Sequence, residues 1–393
     1  MTPFSKRTDW PVHPNPLALK VQSLRGCGAR ILDLTVTNPT RCGFRYLNAK
    51  VLEAFAAQKN LDYDPDPHGL MEARQAVAGY YAQKGVEVRE DQIFMTASTS
   101  EAYSFAFRLL ADAGETILAP APGYPILDFL ASLCDVNVRR YNLQLSEGAS
   151  LDGPALTEQI RAVKPRAVLF VHPNNPTGQY VGPDDRKTLS AVLENFPVPV
   201  LADEVFLDFP LEPAMAVPES FASHCQTLSL TLSGISKILG MPQMKLSWII
   251  VSGPEDLRRK AIEKLEIISD TYLSAATPVQ NALPVWMAER EAIQGEIKSR
   301  IQANYAHLSG ILKDSRKLKL LPAKGGWVAV LAAPAERSDE EWALRLLERD
   351  SLLIHPGFLY DFPSGPYLVA SLLTPEDLFR EAMDKILMRI QKG

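Results

Sequence analysis

The sequence predicts an α/β protein built on a largely parallel sheet, and three observations carry that expectation. Short apolar runs rich in β-branched residues alternate with stretches whose apolar residues recur at helical spacing. Polar turns holding glycine or proline close most of these runs. The chain of 393 residues is 46% hydrophobic, enough to fill a large core without disulfide or metal staples.

In chain order, the strand candidates are QIFMT (92–96), TILAP (116–120), AVLFVH (167–172), VPVLA (198–202), TLSLTL (227–232) and SWIIV (247–251). Helical spacing fills the gaps between them, as in EAYSFAFRLLADAG. From Pro254 to about Asp314 the pattern is mainly helical, with Pro278 and Pro284 marking breaks or helix starts. Strands follow at 317–321 and 325–334, then a helix whose Ser338 and Glu341 have capping-box spacing. Two more strands, 352–357 and 367–372, precede a last helix opened by Thr374 and Pro375. This division predicts a large domain over 49–285, with the N-terminal segment 1–48 and residues 286–393 forming a smaller α+β domain.

Composition narrows the partners. With 41 Lys and Arg against 46 Asp and Glu, the net charge is −5, which argues against a general nucleic-acid or anionic-membrane surface. Cys27, Cys42, Cys134 and Cys225 form no CxxC pair, so a reduced, cytoplasmic setting is expected. No signal-peptide core opens the chain, and no apolar run has the length of a membrane span. His13, His68, His172, His224, His307 and His355 show no HxH or HExxH spacing, so no metal is expected. Prolines outnumber glycines, 30 to 22, and several stand in the turns considered next.

Ligands of open parallel sheets bind beside the carboxyl ends of the strands, where this chain places ASTSEA (97–102), APGYP (121–125), HPNNPTG (172–178), ADEVF (202–206) and SGISK (233–237). Each alone reads equally well as structure; ASTSEA, for example, could be only a helix cap formed by Ser98 and Glu101. Adjacent strand residues point to opposite faces, so only one of Asp203 and Glu204 can face a ligand, and Asp203 is the preferred carboxylate.

Taken together with Y-x-P-x-P-x-G at 63–69, GMPQMK after Lys237 and the terminal YLVASLLTPED, these turns are similar to the class I/II pyridoxal-phosphate-dependent aminotransferases, aspartate-aminotransferase-like and of fold type I. The similarity covers nearly the whole chain. It implies a mainly parallel seven-stranded sheet flanked by helices, a smaller α+β C-terminal domain, pyridoxal 5'-phosphate as cofactor, and a homodimer. It also implies transfer of an amino group between an amino acid and a 2-oxo acid through a Schiff base at Lys237.

By the same resemblance Asp203 keeps the ring nitrogen protonated, Tyr124 stacks on the ring, and Asn175 donates to its hydroxyl oxygen. Ser98, Thr99, Ser100, Ser236 and Lys245 would hold the phosphate, and Tyr63 would reach the phosphate of the other subunit. A helix N-terminus is a ready anion site, and a lysine serves as nucleophile only in a shielded place where its amine can be neutral.

Four positions depart from the family pattern. Phe206 stands for a tyrosine and keeps the ring without the hydroxyl. Lys245 stands for an arginine, a point charge where the family has a fork. Gly234, three residues before Lys237, lacks a hydroxyl that the family offers the phosphate. Val369 stands for the arginine that grips the substrate carboxylate. Asn38, Arg41 and Arg45 are the expected substitutes for that grip, since the family carries this segment over the site. The loss at Val369 keeps open a second reading, a lyase or cyclising enzyme acting on a modified amino acid. A regulatory protein is disfavoured because the proline-rich first 45 residues suit no added DNA-binding helices. A nicotinamide enzyme is disfavoured because GCG at 26–28 lacks the third glycine.

Overall fold

The computed structural model describes residues 4–10, 14–45, 49–145, 150–223 and 225–392; His13 and His224 lie outside them. Among the described residues thirteen strands form in chain order: β1 (Leu32–Asp33), β2 (Ile93–Thr96), β3 (Thr116–Ala121), β4 (Asn137–Asn142), β5 (Ala167–Val171), β6 (Val200–Asp203), β7 (Ser229–Gly234), β8 (Ser247–Ser252), β9 (Lys319–Leu320), β10 (Val328–Ala332), β11 (Leu352–Leu353), β12 (His355–Pro356) and β13 (Tyr367–Ser371).

Seven of them make one sheet in the order β2-β8-β7-β6-β5-β3-β4. Only β8 runs against the rest, antiparallel to both β2 and β7. Strands β2, β5, β6, β7 and β8 are buried at every residue, which explains their unbroken apolar runs: helices cover both faces. Along β5 the two-residue period is explicit. Ala167, Leu169 and Val171 pack in one apolar layer with Phe105 and Leu265, whereas Val168 and Phe170 pack in the opposite layer with Ile160 and Leu189.

After the helices Glu255–Tyr272, Thr277–Ala288 and Arg290–Leu312 the chain builds a four-stranded antiparallel sheet, β12-β13-β10-β9, and a small parallel pair, β1 with β11. Pro278 starts its helix, as expected, while Pro284 lies inside it. Ser338 and Glu341 do form a reciprocal capping box. A single apolar cluster runs from Leu17 and Leu34 through Ile235 and Trp248 to Phe379 and Ile390, so the N-terminal segment, the large sheet and the C-terminal elements share one core.

One joint matters for the site. Gly178, at φ +70°, accepts backbone bonds from Lys324 (3.0 Å) and Gly325 (2.9 Å), and Gly326 donates to the Phe209 carbonyl (2.9 Å). A Cβ on Gly178 would stand 2.5 Å from the Gly325 carbonyl oxygen, so only glycine lets the two backbones come this close. These bonds seat Trp327 against Phe206, with ring centroids 5.4 Å apart. Among the described residues no helix is long and apolar enough to cross a membrane.

Candidate active site

A cavity of about 390 Å³ opens at the carboxyl ends of β5, β6 and β7, a volume within the range of small-molecule sites. Its walls include Lys237, Asp203, Asn175, Tyr124, Thr99, Ser236 and Phe206. The sequence reading therefore found residues from five separate turns that the fold brings into one space.

Lys237 sits in the short helix Ile235–Ile238 directly after β7. Its Nζ lies 5.0 Å from the Trp327 ring centroid and 5.5 Å from that of Phe206. Burial lowers its pKa to about 8, with the Asp203 charge opposing, so a useful fraction of the amine is neutral near pH 7.

Asp203 ends β6 and is 6% exposed. One carboxylate oxygen accepts from the Tyr103 hydroxyl (2.9 Å) and the other from the Val205 N–H (3.1 Å). Burial raises its pKa; the two hydrogen bonds and the Lys237 charge pull the other way. Glu204 points elsewhere, accepting from Ser220 Oγ and the Phe221 N–H, both at 2.6 Å. That settles the alternation at 203 and 204: Asp203 lines the cavity and Glu204 does not.

The turns do their structural work with neighbouring residues. Asn174 accepts from the Thr177 N–H and Oγ1 and donates to the Pro122 carbonyl, which leaves Asn175 to face the cavity. The peptide bonds before Pro122, Pro173 and Pro176 are cis. Ser98 is the N-cap of the helix Thr99–Leu110, its Oγ accepting from the Glu101 N–H at 3.2 Å. From this turn it is Thr99 that lines the cavity; Ser98 and Ser100 stand beside it. His172 is buried and accepts from the Val181 N–H (2.9 Å), and burial lowers its pKa to about 3, so it fills space as a neutral ring.

Other expected residues lie outside the cavity. Lys245 is exposed, with φ +53°, just before β8. Tyr63 is 73% exposed and lines a separate small cleft with Ser269 and Leu273. Asn38 accepts from Thr40 and caps a turn of 3₁₀ helix, Pro39–Arg41, that carries the chain away after Thr37 has touched the cavity. Arg41 consequently lines a different cavity, with Asp33 and Thr374, and Arg45 is exposed, its N–H bonded to a Glu296 oxygen at 3.0 Å. The structure does not bring Arg41 or Arg45 to Lys237. Val369 is buried in β13, in an apolar cluster with Val328, Val330 and Tyr360.

Sequence reasoning missed Trp327, His355 and Tyr360, which also wall the cavity. His355 Nδ1 and the Tyr360 hydroxyl are 3.1 Å apart, and burial lowers the histidine's pKa. His355 pairs with Val369 across the sheet, so a polar pair stands beside the position where the family pattern has an arginine.

A partly neutral lysine near a buried carboxylate and between aromatic faces, at the carboxyl ends of parallel strands, suits an enzyme that joins its lysine to a carbonyl compound as a Schiff base. The sequence pattern of aminotransferase class I and II matches residues 36–391, and the chain belongs to that pyridoxal-phosphate-dependent family. It is 23% identical to tyrosine aminotransferase of Mus musculus over 97% of this chain and 88% of that one. It is likewise 23% identical to the glutamate-pyruvate aminotransferase of Escherichia coli, over 88% and 87%. An alanine aminotransferase from Pyrococcus furiosus superposes with TM-score 0.90 at 21% identity, covering 99% of this chain and all of that one. A Thermus thermophilus aspartate aminotransferase superposes with TM-score 0.85, also at 21% identity, over 99% of this chain and all of the other. These relatives are all named for amino-group transfer, so the lyase reading is not favoured.

Proposed function

We propose that this chain is a cytoplasmic, homodimeric aminotransferase that binds pyridoxal 5'-phosphate on Lys237 and passes an amino group from an amino acid to a 2-oxo acid. The observation that carries this reading is the meeting of a lysine of lowered pKa and a buried, doubly hydrogen-bonded carboxylate in one enclosed space. When bound, pyridoxal phosphate supplies an aldehyde that takes up the amino group and a ring that draws electrons from the adjoining carbon.

The residues divide the remaining work. Asp203, held by Tyr103 and Val205, is positioned to keep a ring nitrogen protonated; Tyr124 offers a face and Asn175 an amide N–H. Thr99 and Ser236 offer hydroxyls to a phosphate at the start of a twelve-residue helix, with Ser98 and Ser100 beside Thr99, and Lys245 would supply a positive charge from outside the cavity. Lys237 would hold the cofactor's aldehyde and, with its amine free, would serve the substrate's α-carbon as general base and acid. Residues 49–285, which hold the whole seven-stranded sheet, serve as the cofactor unit; 1–48 and 286–393 close over it. Tyr63, exposed together with Leu61, Ile267 and Tyr272, suits a face that a second copy covers, where its hydroxyl would serve the partner's phosphate.

Reconstitution tests the reading. Protein loaded with pyridoxal phosphate is expected to show a visible absorbance band that single amino acids bleach toward the pyridoxamine form, and that a Lys237→Ala variant lacks. Absence of any band in the loaded wild type, or its persistence in Lys237→Ala, would remove Lys237 from the chemistry. Release of ammonia in place of the pyridoxamine form would return the reading to a lyase.

A further inference from the structure

Ser247 opens β8 at the rim where two functional turns leave the sheet. Its Cα pairs with Thr96, just before the Ser98 turn, and with Gly234, just before the Lys237 turn. The residue is 1% exposed, yet its Oγ has no hydrogen-bond partner among the described residues. Buried hydroxyls in native proteins almost always have one, so the missing partner calls for an explanation. Ser229 and Thr231 also have unpartnered hydroxyls, but they lie deeper along β7, behind the rim.

Gly234 supplies the second observation. A Cβ built on it would overlap Ser247 Oγ and stand 2.8 Å from Ser247 Cβ and 2.9 Å from the Leu246 carbonyl oxygen. The Ser247 hydroxyl thus fills the space that a side chain at 234 would occupy, three residues before Lys237. The helix Thr99–Leu110 begins beside this point; its first amides have no acceptor within the helix, and Thr99 and Ser236 face the cavity. The convergence of free amides, hydroxyls and an orphaned Oγ fits a phosphate monoester.

We propose that Ser247 donates a hydrogen bond to the phosphate of the bound cofactor and so stands in for the hydroxyl that Gly234 lacks. The two positions are coupled sterically: a side chain at 234 needs the space that the Ser247 side chain fills, and there is no room for both. This inference rests on the proposed binding of pyridoxal phosphate.

The test compares pyridoxal phosphate with pyridoxal, which has the same ring and no phosphate, titrated into the cofactor-free protein and followed by absorbance. Ser247→Ala is expected to bind pyridoxal phosphate about ten-fold more weakly while its pyridoxal affinity stays within about two-fold of wild type. Gly234→Ser alone is expected to lose thermal stability through the clash. The double variant Gly234→Ser/Ser247→Gly, which takes both Ser247 atoms out of the clash, is expected to be more stable than Gly234→Ser and to regain affinity for the phosphorylated form. Unchanged affinity of Ser247→Ala for pyridoxal phosphate overturns the inference, as does an equal loss for both ligands, which would mark Ser247 as packing alone. A folded double variant that recovers nothing overturns it too. A wild-type chain that binds neither ligand overturns the proposed function, and the inference with it.

Discussion

Glu204 shows how one residue can set a pH dependence without touching the cavity. Ordinarily near 4.5, its pKa is raised by burial to about 7, against the opposing pull of Ser220, the Phe221 N–H and Arg186. The folded chain therefore holds that proton more tightly than the unfolded one. Stability from this group is fully present below about pH 4.5 and is lost as the pH rises to and through 7. Glu204→Gln keeps the shape and an acceptor for Phe221 but cannot ionise. It is expected to match wild type near pH 4.5 and to exceed it at pH 8 by on the order of 2 kcal/mol. Urea titrations of both proteins at the two pH values check this; a difference that does not grow with pH would show that Glu204 titrates normally.

At the scale of elements, Asp208 ties the Lys237 turn to its surroundings. Its carboxylate accepts from Lys84, from the Tyr80 hydroxyl at 3.1 Å and from Gln294 Nε2 at 2.7 Å; Gln294 also donates to the Ile238 carbonyl at 3.1 Å, next to Lys237. Three helices and the segment after β6 thus meet at one buried charge. Asp208→Ala leaves the Tyr80 and Gln294 donors unpaired, while Lys84, 24% exposed, still reaches water. The expected loss is about 2–4 kcal/mol in chemical denaturation; a loss under about 0.5 kcal/mol would show that the network contributes only geometry.

The elements also show what the sequence made legible. Strands buried on both faces announced themselves as apolar runs, and the residues at their carboxyl ends were the ones worth watching. β4, reading NVRRYN, escaped notice because it pairs on one side only, with β3, and exposes alternate residues, including charged ones. Trp327, His355 and Tyr360 escaped because they reach the cavity from the C-terminal elements, Trp327 through the Gly178–Gly325 joint and Tyr360 beside Gly123, whose N–H its carbonyl accepts, and nothing local to them records that approach. Arg41 and Arg45 stand away from Lys237 for the converse reason. Their segment does run toward the site, but the Asn38 cap turns it aside after Thr37.

For the molecule as a whole, the exposed position of Tyr63 yields a test of shared sites. A dimer assembled from Lys237→Ala and Tyr63→Ala subunits contains one site with both residues intact and one with neither. After unfolding and co-refolding an equal mixture, about a quarter of the wild-type sites should return, because half the dimers are mixed. Sedimentation should show a dimer throughout. A monomer, or a mixture no more active than its parents, would confine Tyr63 to its own subunit.

The single reversed strand has a consequence of its own. In an all-parallel sheet every residue on the reactive rim lies just after a strand, so each position there has one address in the chain. Because β8 runs backward, the residues at its start, Leu246 and Ser247, share that rim with those just after β7. A chemical group can therefore change its address in the gene while keeping its place in space. Comparison of sequences position by position would record such an exchange as two unrelated losses.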